Sequence, residues 1–503
     1  MLEIQAHLPV LVVVVPLIGG VLTSLMGRGA LPWAWATLVT GATFALTLRL
    51  MATLLASGAP HISYEVGNWP RWWGIEYRVD LLNAFILLVV AGVGFITTIY
   101  AKESVADEIP RDRHNLFYTV WVLAICGLLG ITVTGDAFNV YVLLEISSLT
   151  VYALIAMGKD RNRKALTASL RYLILGSVGA SFILLGIGYL MMVTGTLNME
   201  DMREQLLRTP DLDHHRTVLV AFAFLLVGLS LKMALYPLHM WLPKAYTYAP
   251  SAVTALLAAT ATKVAVYMSF RFLFGIFGPE FSFQRLPSHL ILLAGACLGV
   301  VFSSLSAIRQ QSVKRLLAYS SVGQIAYIVA GFSLANENGV AASIIHIFNH
   351  AVTKGGMFMA VGAVALRVGG TDLKHMRGLG RRMPLTMAAL TVGGLGLVGF
   401  PLTAGFISKW YLIKGALDAG MWGLIAIVLL GSILALVYVW KIIEAVYFHE
   451  PEDPRARDAT EAPIMMLVPM WTLIGLSLYF GVDANFTSDT ALRAAKSLLG
   501  GAP

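Results

Sequence analysis

Long apolar runs with almost no charged residues are the feature of this sequence that most restricts its fold. Only 13% of the 503 residues are Asp, Glu, Lys or Arg, whereas a soluble protein carries about 25%. Runs of about 20 apolar residues, long enough to cross a hydrocarbon core of about 30 Å as a helix, recur from Leu8 to Tyr479. The sequence therefore predicts an all-α polytopic membrane protein.

The apolar runs predict about fourteen transmembrane helices and very little else. The predicted spans are 8–26, 31–55, 80–100, 115–134, 137–157, 166–193, 217–236, 251–274, 287–307, 317–334, 339–366, 384–408, 421–446 and 462–481. The stretch 62–80 alternates and turns, which predicts a small hairpin at the surface. Neither a further span nor an amphipathic lateral helix is expected after residue 482.

Basic residues are distributed unevenly between the loops. Loops after the odd-numbered spans hold nineteen Lys and Arg residues, and loops after the even-numbered spans hold six. The positive-inside rule therefore places the basic loops in the cytoplasm and both termini outside a cytoplasmic membrane. These loops account for the net charge of +8 without nucleic acid as a partner.

Several cofactor sites are disfavoured by the sequence. Cys126 and Cys297 both fall inside predicted spans, so neither a disulfide framework nor a cysteine metal site is expected. The G-x-G-x-x-G match at 394–399 lies in an apolar span and follows no strand, which is the wrong context for a dinucleotide. No haem signature is present. We expect no cofactor, no metal and no redox site in the chain itself.

The second half of the chain repeats features of the first. EISSLTVYALIAM resembles AYSSVGQIAYIVAGF, GLSLK resembles GFISK, and KVAVY resembles KIIEAVY, at offsets of 173, 177 and 178 residues. Five spans separate the copies, so the second copy is inverted relative to the first, as in many transporters. The predicted domains are 1–114, a first five-helix repeat 115–274, a second repeat 287–446, and a C-terminal part 447–503.

Nine ionisable residues lie inside six predicted spans, where each charge costs at least about 2.5–3.5 kcal/mol. They are Glu145, Lys232, Lys263, His346, His350, Lys354, Lys409, Lys441 and Glu444. His346, His350 and Lys354 are four residues apart and share one helix face. Imidazole titrates near neutral pH and a desolvated lysine can release its proton, so this row could relay protons. The surplus of lysine over carboxylate favours groups that are neutral part of the time.

Structural roles stay open for several of these residues. Glu145 and Lys232 could form a static ion pair, and a buried histidine is often simply a hydrogen-bonded core residue. Lys354 and Lys441 could extend toward an interface. Arg271, near a span end, is expected to be an anchor or to face lipid.

Prolines and a glycine interrupt the chain beside the buried lysines. Pro237, Pro243 and Pro250 fall between the seventh and eighth spans, and Gly399 and Pro401 fall inside the twelfth. Irregular backbone at membrane depth persists only where protein buries it or where it lines a water-filled cavity. We therefore expect water or polar groups to reach the lysines at these breaks.

Five stretches together resemble a known family. They are TGDAFNVYVLLEISSLTVY (134–152), PLHMWLPKAYTYAPSAVTALLAATATKVAVY (237–267), VKRLLAYSSVGQIAYIVAG (313–331), HIFNHAVTKGGMFM (346–359) and GFPLTAGFISKWYLIKGA (399–416). The chain resembles the antiporter-like subunits shared by respiratory complex I, membrane-bound hydrogenases and Mrp-type cation/proton antiporters. The resemblance implies fourteen helices with two inverted five-helix repeats, helices 4–8 and 9–13, and broken helices.

The resemblance also implies a proton path near the bilayer midplane. The residues that match its main positions are Glu145, Lys232, Lys263 and Lys409. The candidate relay residues are His346, His350, Lys354, His239 and Lys441. Two departures from the pattern are Lys244, where relatives often have an acid, and Gln324, where some have a histidine.

The expected function is that of a proton-translocating, D-type member of a multi-subunit Na⁺/H⁺ antiporter. Glu145 and Lys232 would form a switchable pair, and the lysines and histidines would carry the proton onward. Expected partners are a homologous antiporter-like subunit, small membrane subunits, lipid, and Na⁺ or K⁺ beside H⁺. The alternatives are a pump module of complex I or a membrane-bound hydrogenase, and a membrane scaffold for inorganic-carbon uptake.

Overall fold

The structure, a computed structural model, describes residues 6–27, 29–209 and 215–500. Within these ranges the chain is mostly helical, which confirms the predicted all-α class. Arg28 and the two chain ends, for which the sequence predicts a side of the membrane, lie outside the described residues.

Helices occupy nearly the whole chain, apart from one short hairpin. In the first half the elements are α1 Leu8–Ser24, α2 Leu31–Ser57, β1 His61–Glu65, β2 Glu76–Asp80, α3 Leu81–Glu108, α4 His114–Val133, α5 Ala137–Ala156, α6 Lys164–Thr194, α7 Met199–Arg208, α8 Arg216–Lys232, α9 Leu242–Tyr248, α10 Ser251–Ala259 and α11 Ala261–Ser269. In the second half they are α12 Ser288–Ile308, α13 Val313–Ser333, α14 Glu337–Val368, α15 Leu373–Met376, α16 Pro384–Val398, α17 Ala404–Asp418, α18 Trp422–Phe448, α19 Pro454–Arg457, α20 Ile464–Val482 and α21 Asn485–Leu498.

Eleven helices in the described ranges are long and apolar enough to cross a membrane. The other three predicted spans correspond to shorter pieces: α1, α8, and the pair α16 and α17. The division of the chain into two inverted repeats stays a prediction.

The predicted surface hairpin is present. Strands β1 and β2 pair antiparallel, with His61 opposite Asp80 and Glu65 opposite Glu76. The buried Glu76 carboxylate accepts hydrogen bonds from Ser63 Oγ at 2.5 Å and from Asn198 Nδ2 at 2.7 Å. The hairpin is thereby tied to the start of α7.

Helix α14 lies at the centre of the bundle. It is 32 residues long, and nearly all of its side chains are buried. It packs against α10, α13, α17 and α20, among other helices. Because water is excluded on every face, any polar side chain on α14 must find its partners within the protein.

Two spans are interrupted at the predicted places. Helix α8 ends at Lys232 and helical structure resumes only at Leu242, while α16 ends at Val398 and α17 begins at Ala404. Each interruption holds a non-glycine residue with positive φ, Ala234 at 59° and Leu402 at 70°. Residues with a side chain rarely adopt positive φ, so the surrounding packing must hold the backbone in this conformation.

A third interruption has no proline or glycine to signal it. Between α10 and α11, Thr260 adopts φ −125° and ψ −55°, outside the helical region. Two carbonyl groups released at the kink accept hydrogen bonds from side chains. Tyr246 Oη donates to Leu257 O at 3.1 Å, and Lys263 Nζ donates to Ala258 O. The predicted continuous eighth span is therefore kinked near its middle.

The expectation that Arg271 is a surface anchor or faces lipid is wrong. Its guanidinium makes a two-pronged ion pair with Asp80, with both N···O distances at 2.6 Å, and also donates to Tyr267 Oη at 2.9 Å. Asp80 in turn caps the first turn of α3 through the backbone N–H of Asn83. Arg271 therefore joins the end of the hairpin to the π-helical segment Phe270–Ile276, which continues directly from α11.

A short amphipathic helix follows the last span, and it is not the lateral helix whose absence the sequence predicts. Helix α21 has 14 residues, and its face of small and apolar residues is buried against α3 and α14. It packs on its own chain, and its length is below that of a membrane span.

Replacing Asp80 by Asn should destabilise the protein. Asn still caps α3, but Arg271 loses its charged partner, which should cost about 2 kcal/mol in the free energy of unfolding. Thermal unfolding in detergent should show a clear drop in Tm. The matched control is Asp160→Asn, which removes the half-exposed Arg113 pair and should change Tm little. Equal shifts of Tm in the two variants would show that the Asp80–Arg271 ion pair stabilises the protein no more than the half-exposed pair does.

Candidate functional site

Glu145 and Lys232 lie near one another but are not in direct contact. Lys232 is the last residue of α8, only 7% exposed, and its Nζ donates to Ser148 Oγ at 3.1 Å. Ser148 lies one turn after Glu145 on α5, so the two side chains share a helix face. Glu145 Oε1 is buried and hydrogen-bonds to no described residue. The charge of Glu145 acts on Lys232 across this gap.

Lys409 lies across the break between α16 and α17. Its Nζ donates to Leu397 O at 3.1 Å, to Val398 O at 2.8 Å and to Ser432 Oγ at 2.9 Å. The two carbonyl groups are the last of α16, where the helix dipole favours a positive charge. The ammonium also lies 4.8 Å from the centre of the Tyr327 ring. Lys409 is thus held by neutral dipoles and an aromatic face.

Lys263 and Lys354 are held in the same manner. Lys263 Nζ donates to Ala258 O at the kink between α10 and α11. Lys354 Nζ donates to Leu317 O at 2.9 Å and to Ser320 Oγ on α13. Both side chains are almost fully buried. No carboxylate lies within 4 Å of either ammonium in the described ranges.

The histidine row on α14 begins in a defined hydrogen-bond network. His346 Nδ1 lies 2.7 Å from Ser408 Oγ, and its Nε2 lies 3.0 Å from Gln324 Oε1. Both ring nitrogens of His346 are therefore hydrogen-bonded to side chains of neighbouring helices, Ser408 on α17 and Gln324 on α13.

His350 continues the row without fixed partners. Its ring stacks on that of His346 with centroids 6.1 Å apart. Both ring nitrogens are buried, and neither hydrogen-bonds to a described residue. The charges of Lys263 and Lys354 both act on His350, and those of Lys263 and Lys409 act on His346. The histidine row thus interacts electrostatically with all three lysines, Lys263, Lys354 and Lys409.

The structure brings the predicted residues together in two groups. The first group is Glu145, Ser148 and Lys232, and the second contains Lys263, His346, His350, Lys354 and Lys409. No hydrogen bond joins Lys232 to Lys263 in the part of the chain that the structure describes.

Two of the predicted relay residues lie apart from both groups. Lys441 Nζ donates to Ile308 O at 3.0 Å and to Gln310 O at 2.9 Å, at the C-terminal end of α12. His239, in the break after α8, stacks on Tyr236 with ring centroids 5.2 Å apart. Lys441 therefore has the geometry of a helix cap.

The hydroxyl and amide partners of the lysines and His346 were not predicted as site residues. They are Ser148, Ser320, Gln324, Ser408 and Ser432. The paired serines at 147–148 and 320–321 carried a signal, because they belong to the predicted internal repeat. Ser408 and Ser432 carried none that single-sequence reasoning could separate from ordinary packing.

Comparison with known proteins places these residues in context. A family model described as NADH:quinone oxidoreductase/Mrp antiporter, TM, matches residues 134–435, which include both groups. The chain is 40% identical to NADH-quinone oxidoreductase subunit N of Desulforudis audaxviator, over 93% of this chain and 94% of that protein. It is 29% identical to the D-type component of the Na(+)/H(+) antiporter of Alkalihalophilus pseudofirmus, over 86% of each chain.

A solved structure has the same fold along nearly the whole length. A chain of the membrane-bound sulfane sulfur reductase, an archaeal respiratory membrane complex, superposes with a TM-score of 0.88. The sequences are 30% identical, and the match covers 98% of both chains.

Replacing Lys409 by Met should loosen the break between α16 and α17. The last carbonyl groups of α16 lose a charged donor, so local opening becomes easier by about 1–2 kcal/mol and amide exchange speeds up about tenfold. Hydrogen–deuterium exchange in nanodiscs, read on peptides covering 395–406, measures this change. Lys414→Met on the same helix removes an exposed lysine and should leave these peptides unchanged. Unaltered exchange in the Lys409 variant would show that the cap does not hold the break.

Proposed function

This chain belongs to the NADH:quinone oxidoreductase/Mrp antiporter transmembrane family, and we propose that it translocates protons as a membrane subunit of a multi-subunit complex. It is a multi-pass membrane protein. Its expected place is the cytoplasmic membrane, with the basic loops in the cytoplasm.

One observation carries the proposal: the buried lysines are held by carbonyl and hydroxyl groups, and no carboxylate of the described residues is in contact with them. A lysine in a tight ion pair keeps its proton, because the neutral amine would leave an unpaired carboxylate behind. A lysine held by neutral dipoles has no such counter-charge and can release its proton. Lys232, Lys263 and Lys409 therefore suit transfer better than static charge pairing.

Glu145 and Lys232 form the proposed switch. Lys232 donates to Ser148, while Glu145 Oε1 one turn away is free to accept. Closing this gap would hold the proton on Lys232, and opening it would favour release. The proton would then pass to Lys263 and along His350 and His346 to Lys409.

A redox-linked complex is the assembly best supported by the relatives. The relative at 40% identity is named as a subunit of an NADH-quinone oxidoreductase, and the matching solved structure belongs to a respiratory membrane complex. The partners would be other membrane subunits, together with a redox arm that supplies the driving energy. A cofactor in this chain is not part of the proposal.

A Na⁺/H⁺ antiporter is the second candidate. The D-type antiporter protein matches 86% of the chain at lower identity, and the stretches KAYTYAPS and TKVAVY resemble this type. The exchanged ion would be Na⁺ or K⁺, and the partners a homologous antiporter-like subunit and small membrane subunits.

Replacing Lys232 by Ala should abolish proton movement while leaving the protein in the membrane. The test uses everted vesicles from antiporter-deficient cells that express the chain with its genomic neighbours. Proton flux is measured after addition of NADH or other electron donors, and separately after addition of Na⁺ or K⁺. The control is Lys374→Ala, which removes an exposed lysine of the short helix α15 and should transport normally.

The two candidate assemblies give different results in this assay. Flux that needs an electron donor supports the redox-linked complex, and flux induced by Na⁺ or K⁺ alone supports the antiporter. Normal flux in the Lys232 variant would refute the proposed path in both cases.

A further inference from the structure

A buried carboxylate at the end of α3 is not used by the path described so far. Glu108 is the last residue of α3 and only 8% exposed. Its two oxygens accept hydrogen bonds from the backbone N–H of Ser251, at 3.1 and 3.0 Å, and Ser104 Oγ donates to it at 3.1 Å. Glu108 therefore lies at the N-terminus of α10.

Both ends of α10 hold a charge of the sign that its dipole favours. Glu108 lies at the N-terminal end, and Lys263 donates to Ala258 O at the C-terminal end. The helix has nine residues and is about 13 Å long. One half-helix thus connects the surface-side carboxylate to a lysine of the second site group.

Cations surround Glu108 on the side of the membrane that holds the basic loops. Lys314 on α13 donates to Ala249 O at 3.0 Å, two residues before Ser251, and its charge interacts with that of Glu108. Arg161 Nη1 lies 3.9 Å from Glu108 and 2.9 Å from Asp107. On α3 itself, the Tyr100 hydroxyl donates to Met359 O at 2.9 Å, and the charge of Glu108 acts on it.

A cavity of about 210 Å³ opens at this carboxylate. Its lining includes Glu108, Arg161, Lys314 and Ser251. Ser251 Oγ is almost fully buried there and hydrogen-bonds to no described residue. A larger surface cavity of about 640 Å³ shares Glu108 and Arg161 and adds Arg367 and Arg455. Since a water molecule fills about 30 Å³, both spaces can hold several.

We propose that Glu108 is the proton-loading site through which the cytoplasmic side supplies Lys263. A hydronium ion in the cavity transfers a proton to a Glu108 oxygen and leaves as water. The cavity ends at the N-terminus of α10, so Glu108 then gives up the proton through further water along this half-helix to the neutral amine of Lys263, which restores the carboxylate and forms the ammonium. The nearby cations Lys314 and Arg161 favour return to the carboxylate form. This inference rests on the proposed function.

The rival explanation is a purely structural cap on α10, and Glu108→Gln separates the two. The amide oxygen of Gln still accepts from Ser251 N–H, but Gln cannot bind and release a proton. In everted vesicles, whose outer face is the cytoplasmic one, we expect the initial proton uptake rate to fall at least about tenfold. The dependence of the residual rate on outer pH should flatten.

The control is Asp112→Asn, which makes the same change of charge at an exposed position four residues further along the chain. It should keep the wild-type rate and pH profile. Glu108→Asp, which keeps a carboxylate on a shorter side chain, should retain transport with a shifted pH profile. If the Gln variant does not assemble, an unshifted profile in the Asp variant overturns the inference.

Failure of this inference is distinguishable from failure of the proposed function. Wild-type rate and pH profile in Glu108→Gln, with Lys232→Ala inactive, would show that Glu108 is only a cap. Normal transport in both variants would instead overturn the proposed proton path, and the loading site with it.

Discussion

Among the described residues, the buried lysines are stabilised by carbonyl and hydroxyl groups and not by carboxylates, and the rest of the structure depends on this arrangement. Lys263, Lys354 and Lys409 each donate to backbone carbonyl groups, and two of the three do so where a helix is interrupted. A continuous helix uses its carbonyl groups internally, so interruption is what makes them available. The ammonium in turn satisfies polar backbone that the bilayer could not. The break therefore supplies acceptors for the buried lysine, and the lysine supplies donors for the interrupted backbone.

Close packing around the breaks follows from the same arrangement. Helix α17 must start directly against the end of α16 for Lys409 to reach back. Gly405 permits this approach, because a Cβ there would lie 1.9 Å from Gly396 O. The buried helix α14, which carries Lys354, packs against α17, which carries Lys409, and against α10, whose end Lys263 binds. The geometry of the proposed proton path thus depends on backbone contacts as much as on the ionisable side chains.

Much of this architecture could be predicted from the sequence. The spans, the hairpin and the two breaks marked by Pro237 and Gly399 all follow from composition and local backbone chemistry. The kink at Thr260 could not be predicted, because it has no proline or glycine and arises where side chains bind its carbonyl groups. The buried pairing of Arg271 was missed for a related reason, since its partner Asp80 lies 191 residues earlier. For the site, residue type predicted which positions are charged, but only the structure shows that Lys232 binds Ser148 and not Glu145.

The cap at the end of α16 couples protonation to shape through a simple count of donors. A lysine ammonium has three N–H groups, and Lys409 directs them at three acceptors, Leu397 O, Val398 O and Ser432 Oγ. The neutral amine has only two N–H groups, so loss of the proton leaves one acceptor without a hydrogen bond. The contacts across the break between α16 and α17 then change. The backbone conformation at the break would therefore depend on whether Lys409 is protonated, and it would respond to each proton transfer of the proposed path.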